Sequence, residues 1–451
     1  MKIIIIGGGI SGLATYLYLR KHLPAPPSGG PAHIIHIYES HKPRANNTRI
    51  PTDAAHSFET LSTSTAIVGG GLGVSPNGMR VLRDLDPAIH AAVAAQGFPC
   101  EHFIFMGQNG WRLGMVKTSD EGSVKLEGGE SEVCVSSTRH GLWACLMGAV
   151  PAGVMRYRKL SGVREGDGGR WRVVFEDGGE EECDLLIGAD GVKSTVRQAL
   201  FGDSAGELSP VYTGASGIGG VMNAPLPPRV ADNKAMVFTF GRTGFFGYAS
   251  ASPASANALL WWSTFETDSL PSKTDLNLDE IKASMRERHG DWADPVIRDI
   301  VSKAEVDSIY PTWVLPDLPH WGEKGIVLVG DAAHALSPTT GQGASQALED
   351  AQTLSLLLAE MLRRAYGDDS SGGDGGLDDG LRVGKERDAV AQTLKMFYEI
   401  RQPRVAKIAE RGRKLDRGKR KMSVVEEYSM YCFLWLLNHV SSIGKYHSFC
   451  S

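Results

Sequence analysis

Cysteine is scarce and scattered. The chain of 451 residues has six, Cys100, Cys134, Cys145, Cys183, Cys432 and Cys450, with no C-x-x-C pair and no histidine nearby at ligand spacing. That argues against a disulfide framework and a zinc site, and it fits a reducing compartment. No metal ligands are expected. Charge of one sign is also lacking: 47 basic against 52 acidic residues leave a formal net charge of -5, which speaks against a nucleic-acid binder. Long hydrophobic runs are missing. Ile3 to Ile6 stops at Gly7-Gly8-Gly9, too short for the core of a signal peptide. Met430 to Val440 contains Asn438 and His439, and no stretch reads as a membrane span. A cytoplasmic protein without a transmembrane segment is expected. The 430–440 run reads as a buried C-terminal helix, with membrane-surface contact the lesser alternative.

What is present is a chain long enough for two or three domain-sized units, with no internal repeat. Lys2 to Ile6 is a β-branched run suited to a buried parallel strand. Helix formers follow from Gly12 to His22, a Pro/Gly/Ser loop from Pro24 to Pro31, and a second strand from Ala32 to Tyr38, closed by Glu39. Residues 44–66 read as a surface insertion. Ser75 to Leu85 reads as a helix with Pro76 in its first turn. Residues 154–187 read as a β-meander, and 208–266 as aromatic-rich strands. Gly325 to Val329 is another buried strand, leading to a helix from about Ala344 to Tyr366. The Gly/Asp/Ser tract 367–384 cannot bury enough apolar surface to order itself. Helices resume from Glu386 to Leu415.

Three motifs carry chemistry. The first is Gly7-x-Gly9-x-x-Gly12 between strand and helix. Gly7 allows the tight turn, Gly9 lets a pyrophosphate approach the backbone, and Gly12 lets the helix pack on the strand. The helix N-terminus offers free N–H groups to phosphate, and Glu39 stands where a carboxylate can accept from ribose hydroxyls. The bland alternative is a glycine-rich turn with no ligand. The second motif is Gly188-Ala189-Asp190-Gly191, continuing to Arg197. The third is Gly330-Asp331-Ala332-Ala333-His334 through Pro338, followed by Gly341-Gln342-Gly343-Ala344.

With all three in this order, residues 1 to 415 resemble the class A flavoprotein monooxygenases, the group of para-hydroxybenzoate and salicylate hydroxylases, and within them enzymes of fungal secondary metabolism. The resemblance implies an α/β fold: a Rossmann-like FAD-binding domain, an inserted β-sheet substrate domain and a C-terminal helical segment. It divides the chain into a discontinuous FAD unit (1–205 and 310–366), a β-rich unit (206–309, with parts of 72–130), a disordered loop (367–384) and C-terminal helices (385–451). It implies that Asp331 bonds the FAD ribityl chain, that Pro338 to Ala344, with Gly341 and Gly343 among the cofactor-binding residues, pass the flavin ring, and that the helix from Ala344 points its N-terminus at the ring's N1/C2=O edge. Asp190 and Gly191 would serve both FAD and NAD(P)H. Arg139, after Ser137-Thr138, resembles the arginine beside the FAD phosphates, and Gly71 the crossing beneath the flavin.

For Asp190 and Arg197 the alternative is a helix cap with a surface salt bridge. His334 reads as bonded to backbone rather than catalytic. The family's Arg soon after Tyr212 is absent, since the chain runs Gly214-Ala215-Ser216-Gly217 there, and Tyr212 is the one catalytic candidate.

The activity implied is an FAD-dependent monooxygenase using NAD(P)H and O2 to hydroxylate or epoxidise an aromatic or polycyclic small molecule through a flavin C4a-hydroperoxide. No second G-x-G-x-x-G follows a strand, so NAD(P)H is expected to bind transiently in a groove. The rivals are a flavin oxidase, a flavin-dependent halogenase (whose W-x-W-x-I-P element Trp261-Trp262-Ser263 does not match), and a non-catalytic FAD-fold escort protein.

Overall fold

The computed structural model describes residues 1–27, 31–42, 70–119, 131–266, 278–367, 379–416 and 422–439. The insertion read at 44–66 lies outside them, as does 368–378 of the Gly/Asp/Ser tract. The first layer is a six-stranded sheet in the order β18-β19-β12-β1-β2-β8. Its centre is β1 (Lys2–Ile6), parallel to β2 (Ile34–Glu39) on one side and β12 (Leu185–Gly188) on the other. Beyond them lie β8 (Met155–Tyr157), β19 (Ile326–Leu328) and β18 (Gly322–Glu323). Ile3, Ile4 and Ile5 are fully buried, as a parallel strand covered on both faces requires. Helix α1 (Ile10–His22) packs against one face, joined there by α2 (Pro76–Leu85) and by α6, a 25-residue helix from Gly343 to Gly367.

The region read as one meander is divided. Strands β9 (Leu160–Glu165), β10 (Trp171–Phe175) and β11 (Glu180–Cys183) form an antiparallel three-stranded sheet, whereas residues 155–157 and 185–188 join the main sheet. A small sheet unites β3 (Gly71–Val74), β7 (Cys134–Thr138) and β4 (Phe98–Cys100). The second layer is a seven-stranded sheet in the order β17-β13-β16-β15-β14-β5-β6. Its members are β5 (His102–Gly107), β6 (Arg112–Lys117), β13 (Val211–Asn223), β14 (Ala235–Gly241), β15 (Gly244–Ser250), β16 (Ala258–Glu266) and β17 (Ser308–Val314). Phe246, Tyr248 and Trp261 from the aromatic-rich stretch fill its core.

Two C-terminal elements differ from the expectation. The helix expected from Glu386 begins at Asp379 and runs to Asp416 as α7. Its extra turns are anchored by Arg382, paired with Glu386 at 3.1 Å, and Glu386 in turn accepts from the Tyr366 hydroxyl at 2.7 Å. The final helix, α8 (Val424–His439), is buried on one face only, and Phe433, Trp435 and Leu436 of the run read as buried are exposed.

Candidate active site

Strands β1, β12 and β19 run parallel, so the turns that follow them gather at one edge of the sheet. The chain leaves β1 for β2 on one side, while β12 and β19 lie on the other. An open α/β sheet binds ligands at such a switch point, outside the carboxyl ends of its strands. Gly7 has φ +107, and a Cβ there would lie 2.2 Å from the Ala189 carbonyl oxygen. At Gly12 a Cβ would lie 1.9 Å from the Gly7 oxygen, and at Gly330 (φ +59) it would lie 2.2 Å from Ser11 Oγ. The first motif therefore touches the second at Gly7 and the third at Ser11. Gly9 caps α1 with no side chain in front of the helix N-terminus.

Glu39, at the end of β2, accepts the Gly8 N–H at 2.8 Å through one carboxylate oxygen and the His41 N–H at 3.0 Å through the other. It is thereby held against the glycine turn. Arg139 opens α3 (Arg139–Gly148), and its N–H donates to Gly70 O at 2.8 Å. Its guanidinium is exposed and forms no ion pair among the described residues. Gly71 pairs with Thr138 in the small sheet, next to Arg139. A Cβ at Gly71 would lie 2.2 Å from Leu260 Cδ2, so a larger residue there would have to displace that side-chain end. Trp143, not anticipated, donates its indole N–H to Gly8 O at 2.8 Å. It follows Arg139 at i+4, on the same helix face.

At the second motif the helix-cap alternative describes the Asp190 side chain. It accepts from Ser194 Oγ at 2.5 Å and from the N–H groups of Thr195 and Val196 at 2.7 and 3.1 Å, capping α4 (Thr195–Phe201). Burial raises its pKa against the pull of these hydrogen bonds. Gly191 has φ +76 and open space where a Cβ would stand. The surface salt bridge is not found. Arg197 is buried and donates to Ala332 O at 3.0 Å and Val192 O at 2.7 Å, tying the second motif to the third.

Asp331 starts the short helix α5 (Asp331–His334), and its carboxylate makes no hydrogen bond or ion pair with another described residue. His334 differs from the expectation. Its ring Nε2 meets Asp350 Oδ2 at 2.5 Å, and the same oxygen accepts the Gly330 N–H at 2.9 Å. Arg401 of α7 donates to Asp350 Oδ1 at 2.8 Å and to Glu349 at 2.5 Å. Burial by itself raises the Asp350 pKa, but the charges of His334 and Arg401 hold it below the usual carboxylate value. Pro338 opens a single 3-10 turn that ends at Gly341 (φ +61). Gly341 and Gly343 both have open space at the Cβ position, and Gly343 and Ala344 begin α6.

Beside the third motif lies a cavity of about 430 Å³. Its walls are Thr213 to Ala215 of β13, Leu315 to Leu318, Ala333 to Thr339, and Gln402, Val405, Ala406 and Ala409 of α7. Tyr212 is not in the wall. Its hydroxyl lies 3.0 Å from Ser216 Oγ, and its ring rests 5.7 Å from that of Trp313. The α7 wall was not legible beforehand, since nothing local in that sequence marks which face a cavity receives. Among the described residues no cluster of His, Cys, Asp or Glu could hold a metal ion.

An extended dinucleotide fits this edge. The glycines leave room at Gly191, Gly341 and Gly343, the N-termini of α1 and α6 are open to anionic groups, and Asp331 and Arg139 have unused polar atoms. Residues 63–370 match the family described as "FAD binding domain"; the match takes in the second and third motifs and leaves the first outside it. A salicylate hydroxylase of Pseudomonas putida is 28% identical over 80% of this chain and 77% of its own length. The 6-hydroxynicotinate 3-monooxygenase of Pseudomonas fluorescens is 30% identical over 80% of this chain and 83% of its own. A fungal FAD-dependent monooxygenase, sor5 of Hypocrea jecorina, is 24% identical over 92% of this chain and 84% of its own. The crystal structure of Klebsiella pneumoniae HpxO with FAD and uric acid superposes with a TM-score of 0.71 at 17% identity, over 99% of this chain and 95% of that one. The family match, covering more than half of the chain, and the relatives' coverage lead to one assignment: this protein belongs to the FAD-dependent monooxygenases built on the FAD binding domain.

Proposed function

We propose that the protein uses NAD(P)H and O2 to place one oxygen atom on an electron-rich aromatic or polycyclic molecule held in the 430 Å³ cavity. The observation that carries this reading is that Ala333 to Pro338 belong both to the cavity wall and to the third motif. The loop that meets the cofactor thus also meets the substrate. The relatives named for salicylate and 6-hydroxynicotinate act on small aromatic rings, and the cavity falls in the range of small-molecule sites.

FAD bound along the sheet edge would supply the store of electrons from NAD(P)H and the activation of O2. The chain's own residues do the rest. Gly7, Gly9 and Gly12, with the N-terminus of α1, seat the diphosphate, and Arg139 pairs with its oxygens. Glu39 accepts from the ribose, and Asp331 from a ribityl hydroxyl. Gly71 would let the backbone approach a bound flavin. The N–H groups at Gly343 and Ala344, with the α6 dipole, would favour negative charge on a flavin held at this helix start. Asp190 and Gly191 shape the turn on which both nucleotides rest. Leu315, Leu318, Trp321, Leu336 and Val405 line the cavity and exclude water from the reacting atoms. In this reading 1–205 and 310–366 form the FAD unit and 206–309 the substrate unit. The described cysteines are all free, which suits a cytoplasmic setting.

The test follows NADPH or NADH oxidation by the FAD-loaded protein, with O2 uptake and peroxide measured together across phenols and indoles. A compound that speeds oxidation while peroxide stays below the NAD(P)H consumed supports the reading. FAD that binds but accepts electrons from neither nicotinamide, with any compound, moves the oxidase or escort alternatives ahead.

A further inference from the structure

The α7 wall of the cavity is a single helical stripe. Gln402, Val405, Ala406, Ala409, Arg413 and Asp416 form it, and on an α-helix all of them fall within about 60° of the direction of Gln402. Gln402 therefore stands near the middle of the face turned to the cavity. Val405, Ala406 and Ala409 bring no polar side chain. Asp416 is engaged by the third motif and the turn after it: it accepts from Ser337 Oγ at 2.9 Å and from Thr339 Oγ1. Arg413 is exposed. Gln402 is half-buried, and its side-chain amide makes no hydrogen bond with another described residue.

The stripe has two distinct ends. At Gly412 a Cβ would lie 2.7 Å from Thr340 Cγ2. This end of α7 thus packs on the 3-10 turn from Pro338, which meets the flavin in the proposed function. At the other end the Tyr398 hydroxyl donates to Leu318 O at 2.9 Å, and its ring lies 5.7 Å from that of Trp321. Gln402 is one helical turn on from Tyr398 and shares its face, and Leu318 and Trp321 are themselves wall residues. From Gln402 to Gly412 the helix rises about 15 Å. A single substituted ring set against the turn is shorter than that and leaves the Gln402 end unfilled. A molecule that does fill it strips water from the amide among apolar neighbours. An amide left without a partner there is costly, and so is a buried charge. The molecule must therefore bring a neutral group that answers one acceptor and two donors, such as an amide, a lactam or a hydroxyl.

We propose that Gln402 selects the substrate: an elongated molecule whose oxidisable ring rests at the turn after the third motif and whose far end carries a neutral hydrogen-bonding group paired with this side chain. The inference rests on the reading of the cavity as the substrate site. The test is titration calorimetry of the FAD-loaded protein, without NAD(P)H, using two series of para-alkylphenols of increasing chain length. One series ends in methyl, the other in a primary amide. In the short members the amide end brings no gain. In the longer ones it tightens binding by roughly tenfold over the methyl counterpart. Gln402→Leu removes that gain and leaves the methyl series as tight or tighter, with FAD content unchanged. Gln402→Asn keeps the amide but retracts it, and moves the gain to a longer chain. The proposal is overturned if the amide end brings no gain at any length, or if the gain survives Gln402→Leu. Failure of the reaction is seen separately: amide-ended phenols that bind through Gln402, while no compound takes up oxygen from O2 with NAD(P)H, sink the proposed oxygenation and leave the role of Gln402 in binding supported.

Discussion

The ring of His334 and the carboxylate of Asp350 meet at 2.5 Å, 16 residues apart in the chain, and that same carboxylate oxygen takes the N–H of Gly330. Asp350 staples the first five residues of the third motif to α6, at Gly330 and at His334. Arg401 then binds the other Asp350 oxygen and carries the connection to α7, the far wall of the cavity. If, as proposed, this loop holds the cofactor and shapes the substrate wall, it gains from being fixed in this way, since a shift of one ångström can cost large factors in rate.

Removal of Asp350 tests how much stability rests there. Asp350→Ala leaves the Arg401 guanidinium buried without one of its two carboxylates, and a broken buried pair costs about 3–5 kcal/mol. Urea unfolding of the FAD-loaded protein should register a loss of that order. The acid limb should change too. The folded Asp350 pKa is lowered, so its contribution is present above the unfolded value of about 3.9 and is lost as pH falls through the folded value. Asp350→Asn should therefore show a shallower loss of melting temperature below about pH 4 than the wild type. An unchanged acid limb would place the source elsewhere.

Asp331 behaves differently because its carboxylate has no partner among the described residues. Asp331→Asn should leave unfolding of the FAD-free protein within about 0.5 kcal/mol. FAD affinity should fall by about tenfold, equivalent to ~1.4 kcal/mol, through the lost charge-assisted hydrogen bond. Quenching of flavin fluorescence gives the Kd, and an unaltered Kd removes Asp331 from the FAD site.

Two glycines separate folding from cofactor binding. Gly12→Ala would push a Cβ to within 1.9 Å of the Gly7 oxygen, so α1 must move off the strand and the protein should be isolated without FAD. Gly343→Ala meets nothing within 4 Å. In the first turn of a helix it should be neutral, or stabilising by up to about 1 kcal/mol. Its methyl group would nonetheless occupy the space assigned to the flavin edge, and FAD Kd should rise by roughly tenfold. If Gly343→Ala binds FAD as the wild type does, that edge is not where the ring rests.

The sequence made the sheet edge legible because its signals are local. A β-branched run, a glycine turn and a helix start within a dozen residues of each other, as at Ile3 to Gly12, and the same holds around Gly330. What it left hidden depends on partners distant in the chain. Arg401 and Asp350 are 51 residues apart, and nothing in either helix's periodicity names the other. Glu349-Asp350 in an apolar helix and Arg401 with Arg404 in the next were the available signal, charges where burial was expected. The outward stripe of α8 was misread for a related reason. Hydropathy reports that Phe433 and Leu436 prefer an apolar neighbour but not whether the fold supplies one.

Tyr212 was the single catalytic candidate, and its placement sets a sharp expectation. Its hydroxyl is 3.0 Å from Ser216 Oγ, at an irregularity of β13, while the adjoining Thr213, Gly214 and Ala215 form the cavity wall. A general acid or base must reach the reacting atom within about 2.6–3.2 Å or through one water, and this hydroxyl is turned to its own strand. Tyr212→Phe keeps the ring against Trp313 and removes the hydrogen bond to Ser216. The variant should lose about 0.5–1.5 kcal/mol of stability and keep kcat/KM within roughly threefold, well under the 10²–10⁴-fold that positioned proton transfer contributes. Steady-state rates with a turned-over phenol or indole across pH decide the matter. A fall beyond about a hundredfold, with loss of one limb of the pH profile, would restore Tyr212 as the proton-transfer group.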